Sequence, residues 1–593
     1  MIYFNRIALG FFVLLTLSFS SEKVKVSEIT VNELKQHVRY LASDQLKGRL
    51  TGSEGDSLAA EYIRGDLKKS GLKPLYDNGF QHFRIIDKVV AGQGNKLKID
   101  NINLIINTDY APLSFSQNGN FCEKAIFAGY GFEINEDSLK WNDYQDIAVK
   151  GKIVVILRGD PEIEKPASPF IRYSRDRDKA LLAKDHGAIC VLFVSGKSFD
   201  AEDKFEPLVK GEMSVGIPVF HISRKSANLI FESNKITAED LEKKLNETRK
   251  PAGFETTVTV SGKADVVQTT LPTRNVIMEI PGSDKILKNE FVVIGAHFDH
   301  LGMGGPGSGS RVPDTLGIHY GADDNASGVA LTMALAKKLA ADGKNLKRSI
   351  IVATFSGEEE GLLGSKRFLD SAKIDLSKVN AMVNLDMTGR LTDNSRLQIS
   401  GVGTSDVFKQ LIYASCDTNK LKVSLSEEGY GPSDHASFYG KNIPVLFATT
   451  GAHLDYHTPA DTWDKINYSG MVEISDLAYK VILELANGSR LTFKEAGPKT
   501  GTSRGTRRKG ITLGIMPDFA GNVKNGLRAD FVTPNKPAAL GGMQKGDIIT
   551  FINGKPVNNI QDYMFRLNQL KRGETISVEV LRGNEKVVLV IQL

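Results

Sequence analysis

FVVIGAHFDH (291–300) is the stretch on which the fold turns. It opens as an unbroken apolar run of strand length and ends in charged residues. A strand apolar on both faces is buried on both faces, which is the mark of a parallel sheet covered by helices. The same pattern recurs on either side. NVIMEI (275–280) precedes it, SIIVATFS (349–356) and MVNLDM (382–387) follow, and a helical stretch runs from about Ser327 to Asp342. Alternating strands and helices predict an α/β fold, a mostly parallel mixed sheet flanked by helices.

In an open sheet of this kind, ligands gather at the carboxyl ends of the strands. Three acidic or histidine motifs stand there: GAHFDH (295–300), SGEEEGLLGS (356–365) and NLDM (384–387). GADDNASG (321–328) opens the helix, and YHTPADT (456–462) lies further on. Each has an ordinary explanation when taken singly: a hydrogen-bonded loop histidine, a solvated run of glutamates, an aspartate capping a helix. Together, two histidines and three carboxylates supply the N and O donors that a pair of divalent zinc ions needs. The glutamate run adds a spare carboxylate beside a ligand, which suits a general base.

The rest of the chain divides by texture. Residues 28–75 read as two helices, with Leu34, Val38 and Leu41 on one face of the first and Ala59, Ala60, Ile63 and Leu67 on the second. The break between them is GRLTGSEG (48–55). From about Phe121 the pattern turns strand-like, with buried strands at Ile153–Leu157, in AICVLFVS (188–195) and in GIPVFHIS (216–223). Residues 494–509 hold six cations among Gly, Ser and Thr and read as a linker; 510–593 suffice for one small strand-rich domain with a helix near 561–570.

Composition narrows the class. The chain has 593 residues, and 75 Lys+Arg against 70 Asp+Glu leave a net charge of +5, too weak to mark a nucleic-acid binder. Three cysteines, Cys122, Cys190 and Cys416, exclude a disulfide framework and read as small buried hydrophobes. Residues 1–20 resemble a signal peptide: Arg6 precedes thirteen apolar-rich residues, Ile7 to Phe19, and cleavage is expected near Ser20. The expectation is an exported protein, periplasmic or secreted, with no stable membrane insertion once the peptide is cleaved.

The motifs resemble peptidase family M28, zinc metallopeptidases of aminopeptidase type, through residues 28–110 and 265–490. LASDQLKGRLTGSEG (41–55) resembles that family's N-terminal signature. The resemblance implies two zinc ions per chain. His297 and Asp386 would hold one, Glu359 and His457 the other, and Asp324 would bridge them. Gly361 and Ser365 set the register of the three-glutamate run, so that Glu358 becomes the general base and Glu360 the variable position. Asp299 corresponds to a carboxylate that orients a ligand histidine. Tyr456 corresponds to a tyrosine that stabilises the oxyanion or, equally, to a packed core tyrosine. The Asp324–Asn325 peptide falls where the family commonly has a cis bond. The implied reaction is attack of a water held between the ions on a peptide carbonyl.

Ser433, Asp434 and His435 are too close in sequence to form a serine triad and read as support for the site. The other histidines (His37, His82, His186, His221, His300, His319 and His453) are expected to be structural or surface residues. Residues 115–260 resemble a protease-associated (PA) domain, inserted into the peptidase. Residues 510–593 resemble a PDZ domain, in which Leu513, Gly514 and Ile515 would offer backbone N–H groups to the C-termini of peptides or proteins by strand addition, with Thr512 departing from the usual loop. Peptides are thus the expected substrates. The expected activity is that of a two-zinc aminopeptidase; a carboxypeptidase or dipeptidase of the same family and a non-catalytic peptide-binding scaffold are the alternatives, and the complete ligand set and the PA insert argue against a glutaminyl-cyclase-like acyltransferase.

Overall fold

The computed structural model describes residues 28–165, 168–392, 396–497, 511–517, 523, 525–533 and 535–593. The expected signal peptide and all but the first four residues of the expected linker lie outside these. No helix among the described residues is long and apolar enough to cross a membrane.

The apolar runs form the strands Phe291–His297, Ser349–Phe355 and Val379–Leu385, buried at every position but Phe291. Phe291–His297 lies between the other two and parallel to both. The chain therefore continues first to one side of this strand and then to the other, and the reversal opens a crevice at the carboxyl ends. Outward on one side run Val445–Thr449 (parallel), Leu397–Ser400 (antiparallel) and Val423–Leu425. On the other side the long strand Val266–Ile280 is antiparallel to Ser349–Phe355 and pairs with Phe80–Ala91. The expected mixed sheet is present, but Phe80–Ala91 was not foreseen. Its sequence, FQHFRIIDKVVA, mixes charged and apolar residues without a clean alternation, because much of its length projects beyond the core as a two-stranded ribbon.

Side chains of Phe291–His297 alternate between two apolar layers. Val292, Ile294 and Ala296 face the helices Val31–Leu41, Glu54–Lys69, Gly328–Ala341 and Tyr468–Asn487, through Leu34, Ile63, Val329 and Ile474. Val293 faces the short helices Leu363–Asp370 and His435–Gly440, through Phe368 and Phe438. Helices on both faces leave only the strand ends open to ligands.

Between Phe80–Ala91 and Val266–Ile280 the chain leaves this sheet and builds a second one. The expected strands appear there as Ile153–Leu157, Cys190–Val194 and Val219–Ile222, all parallel. Lys96–Ile99, Ile102–Asn103 and Tyr110–Pro112 also pair in this sheet, so it takes in residues before 110 that the resemblance had placed with the peptidase unit. One expectation about the thiols is corrected. Cys190 is buried, but Cys122 is exposed and Cys416 intermediate. Cys122 follows the buried Phe121 on the strand Gly119–Ala128 and falls on its outward face.

A third sheet (Ile515–Pro517, Leu527–Val532, Ile548–Ile552, Lys555–Pro556, Thr575–Arg582, Glu585–Gln592) carries the helix Ile560–Gln569. That helix docks on the second unit. Arg177 Nη2 lies 2.7 Å from Asp562 Oδ1, with the two side chains 1% and 0% exposed. Arg566 Nη2 donates to Asp185 Oδ1 at 2.9 Å. Removing one partner of a buried pair strands the other charge, at a cost of about 3–5 kcal/mol. Asp562→Ala should therefore undock the C-terminal unit, which would melt as a separate, lower-temperature transition in differential scanning calorimetry. The apolar double variant Arg177→Met/Asp562→Leu should recover most of the loss.

Candidate metal centre

Three strand ends deliver side chains to the crevice. His297 is the last residue of Phe291–His297, Glu358 and Glu359 follow Ser349–Phe355, and Asp386 follows Val379–Leu385. Asp324 and His457 come from loops. The structure brings all five expected ligands together around Asp324. Its Oδ1 lies 3.3 Å from His297 Nε2, which is 3.4 Å from Asp386 Oδ1. Its Oδ2 lies 3.1 Å from His457 Nε2, which is 3.4 Å from Glu359 Oε2. One carboxylate thus presents an oxygen to each of two histidine–carboxylate pairs.

Electrostatics follow from this crowding. Burial disfavours a charged His297, but the Asp386 and Glu358 carboxylates outweigh it and hold its pKa well above the usual range. Burial opposes a charged His457 too, yet its bonds to Asp324 and Glu359 push it up to about 10. Asp324, although burial favours its neutral form, is held well below the carboxylate range by His297 and His457. Glu358 goes the other way: burial, helped by Glu359, Asp434 and Asp386 and opposed by His297, raises its pKa well above that range. Divalent cations would take the place of the imidazole protons, as metal binding generally does. The donor set is hard and borderline N and O, apt for zinc. Asp386 Oδ1 is buried without a hydrogen-bond partner, as suits an atom placed to hold a cation. His297, Asp324 and Asp386 offer ligand atoms all within 4.8 Å of one another, and so do His300, Asp324 and Glu359.

The loops that carry the ligands are locked to one another by the motif residues around them. In GADDNASG, Asp323 Oδ1 accepts the Gly389 amide at 2.6 Å and Ser327 Oγ accepts the Thr388 amide at 2.9 Å. Asn325 donates to Leu385 O at 3.0 Å and accepts from the Met387 amide at 3.1 Å. The Asp324 loop is therefore zipped to the Asp386 loop, and the Asp324–Asn325 peptide is cis, as the resemblance implied. Asp461, at the end of YHTPADT, accepts the amides of Asp323 and Asp324 at 2.8 and 3.1 Å through Oδ2. His457 donates from Nδ1 to Gly309 O at 3.0 Å, which turns its Nε2 toward Asp324.

Several sequence expectations change in detail. Asp299 was expected to orient a ligand histidine through its carboxylate; that carboxylate lies 3.7 Å from His297 Nδ1 and helps raise its pKa, while Nδ1 also faces the Asp299 carbonyl at 3.3 Å. The carboxylate also accepts the amides of Glu358 (3.1 Å) and Glu359 (3.2 Å) and the Thr51 hydroxyl (2.9 Å). Its geometry serves the glutamate turn, because that turn presents two amides toward it. His300, expected to be structural, sits inside the site with Nδ1 2.8 Å from Glu359 Oε1. Its position three residues after His297 in one loop was the available signal. His453 is also close, 3.2 Å from Asp323 Oδ2, and His319 meets Ser310 Oγ at 2.8 Å. Tyr456 stacks on His457 with ring centroids 3.8 Å apart.

The three glutamates point to different partners: Glu360 leaves the site to pair with Lys210 of the second unit at 2.9 Å. Ser433, Asp434 and His435 form no triad. Ser433 Oγ accepts from Asn384 Nδ2 at 2.7 Å, and His435 stacks on Phe447. Of the expected carboxylate-capturing loop, Leu513 is buried, and the Gly514 amide already donates to Thr512 Oγ1 at 3.1 Å. Asp299→Ala should strip the glutamate turn of its acceptor and weaken zinc binding by about 10–100-fold, measured by chelator competition.

Three family models match parts of the chain. Residues 275–482 match peptidase family M28, residues 111–230 the PA domain, and residues 515–593 the PDZ domain. A probable leucine aminopeptidase of Arthroderma otae is 30% identical over 37% of this chain and 58% of its own length. One from Trichophyton verrucosum is 31% identical over 36% of this chain and 56% of its own. The chain thus spans little more than half the length of these curated relatives. Among solved structures, an aminopeptidase from Aneurinibacillus sp. strain AM-1 is 22% identical with a TM-score of 0.43, covering 79% of this chain and 95% of that one. A zinc aminopeptidase from Bacillus subtilis is 21% identical with a TM-score of 0.41, covering 77% and 95%. The M28 match thus covers residues 275–482, the PA match falls in the insert between two strands of the main sheet, and the PDZ match lies behind both.

Proposed function

We propose that this protein is an exported two-zinc exopeptidase of aminopeptidase type, which removes N-terminal residues from peptides with Glu358 as general base. The observation that carries the reading is the Asp324 carboxylate, which turns one oxygen to His297 and Asp386 and the other to His457 and Glu359. Bound zinc would supply a Lewis acid and acidify water into the neutral range. The protein's own groups do the rest. Glu358, whose pKa lies above the ordinary carboxylate range, takes a proton from the attacking water on its carboxylate and returns it to the leaving amine. Asp299 holds the backbone of Glu358 so that this carboxylate keeps its place. The Tyr456 hydroxyl, beside His457, donates a hydrogen bond to the carbonyl oxygen as it gains charge. The curated relatives are named leucine aminopeptidases, which favours a free amino terminus as the recognised end. The PDZ domain is assigned to peptide or protein C-termini, with the Thr512 bond at Gly514 as a competitor for the captured carboxylate.

The test is made on the full-length protein. Zinc is counted by atomic emission, and hydrolysis is followed on aminoacyl, N-blocked and C-blocked peptides. About two zinc ions per chain and turnover of substrates with a free amino terminus support the reading. Turnover confined to N-blocked peptides would make it a carboxypeptidase. Glu358→Gln should keep its zinc and lose about 10²–10⁴-fold in kcat; undiminished kcat would remove Glu358 from the role of base.

A further inference from the structure

The signature LASDQLKGRLTGSEG supplies none of the ligands, yet its residues lie against the loops that do. Arg49 is fully buried. Its guanidinium donates from Nε to Phe298 O at 2.7 Å, from Nη1 to Tyr320 O at 2.9 Å and to Leu41 O, and from Nη2 to Gly321 O at 3.0 Å. Phe298 directly follows His297. Tyr320 and Gly321 lead into Asp324. One side chain thus spans the two loops that bring the ligands His297 and Asp324 together.

The backbone beside Arg49 completes the attachment. The Arg49 carbonyl accepts the His300 amide at 3.1 Å, and the Gly48 carbonyl accepts the Gly302 amide at 2.9 Å. Gly48 has φ +71°, and a Cβ there would stand 2.4 Å from Gly302 O and 2.6 Å from His319 O, so only glycine allows this approach. Thr51 binds Asp299, and Asp56 accepts from Ser356 Oγ at 2.6 Å and Thr273 Oγ1 at 2.7 Å, which fixes the segment to the strand end that carries the glutamates.

We propose that Arg49 is a positioning residue for the metal centre: its guanidinium holds the His297 and Asp324 loops at the separation at which their side chains converge on one cation. The proposal rests on the two-zinc reading above. Lysine cannot replace it. An ammonium is a single point of donation, whereas the planar fork reaches carbonyls of separate loops at once. Charge alone is a different role. Burial pulls the Arg49 pKa down to about 10, against the pull of Asp324, Asp299, Asp461 and Glu359, so the group stays cationic at neutral pH and also offsets their charge. A residue that acts only by charge would be replaced by lysine, and one that acts by spanning would not.

Zinc affinity of the full-length protein is measured by chelator competition, with circular dichroism to follow folding. The wild type serves as the control, and failure of the wild type to bind zinc would overturn the metal reading itself. Given that control, Arg49→Lys is expected to fold and to bind zinc at least about tenfold more weakly, the scale of an outer ligand-orienting contact. Arg49→Gly is expected to regain affinity on addition of millimolar guanidinium and not on addition of methylammonium. Wild-type affinity in Arg49→Lys would overturn the proposal. Rescue of Arg49→Gly by methylammonium as good as by guanidinium would also overturn it. Where Arg49→Gly does not fold, the Arg49→Lys result decides.

Discussion

Asp299, Asp323, Asp324, Glu358, Glu359, Asp386 and Asp461 meet at one end of one sheet, with Asp434 beside them. Confining like charges away from water is costly unless each is paired or hydrogen-bonded, and the surrounding structure is arranged around that cost. The acids divide into two kinds. Asp299, Asp323 and Asp461 are supplied with backbone amides, and Asp461 with Arg390 Nη2 at 3.2 Å as well. Asp324, Asp386 and Glu359 instead face histidines, and an oxygen of Asp386 has no donor at all. The first kind is held mainly by backbone amides, with Asp323 Oδ2 left without a hydrogen-bond partner, and it orients its neighbours. The second kind is left facing a space where the proposed zinc ions would complete the balance. Glu358 belongs to neither. Crowded by acids and burial, it is driven toward holding a proton, which is the property a proton-transferring group needs.

That division depends on loops that do not move relative to one another. Each ligand-bearing loop is held by side chains of another. Asn325 and Ser327 bind the backbone after Asp386, Asp461 binds the backbone at Asp324, and Asp299 binds the backbone at Glu358 and Glu359. Such cross-bracing lets loops, ordinarily the least rigid part of a fold, present ligands with the tolerance a metal pair needs. It also explains why the motifs are longer than their ligands. GADDNASG contributes one ligand and three braces, and YHTPADT one ligand and one brace.

The sheet and its covering helices could be read from the sequence because each leaves a local mark, and the candidate ligands could be named only because their motifs resemble those of a known family. A doubly buried strand is a continuous apolar run, and a strand end that bears function breaks that run with charge, as at His297, Glu358 and Asp386. The braces leave no such mark. Nothing in RLTGSEG distinguishes an arginine that bonds carbonyls more than 200 residues away from one that faces solvent, and His300 looks like any loop histidine until Glu359 is placed beside it. The strand Phe80–Ala91 was missed for a related reason. Its partner, Val266–Ile280, lies beyond the whole insert, and Asp87 shares the inward face with Ile85 and Val89 while Ile86 and Val90 face outward, so the sequence shows no clean apolar period.

The same long-range logic governs the accessory units. The run Glu358–Glu359–Glu360 is ambiguous by one position on its own, yet its three side chains meet three environments: the buried acids and His297, the His300–His457 pair, and Lys210. The third of these lies in the PA match, so the insert touches the glutamate turn directly. The segment that follows Lys210 also meets the PDZ helix. Gly211 O accepts from Gln561 Nε2 at 3.2 Å, and the Met213 amide donates to Gln561 Oε1 at 3.1 Å. With Arg177 and Asp562 buried against each other nearby, the PDZ helix is braced on the insert and the insert on the glutamate turn. The PDZ domain is therefore not merely tethered by its linker. Its helix is seated on the structure that borders the metal centre, and a peptide captured by this domain would be held at a fixed place relative to the site rather than at the end of a flexible chain.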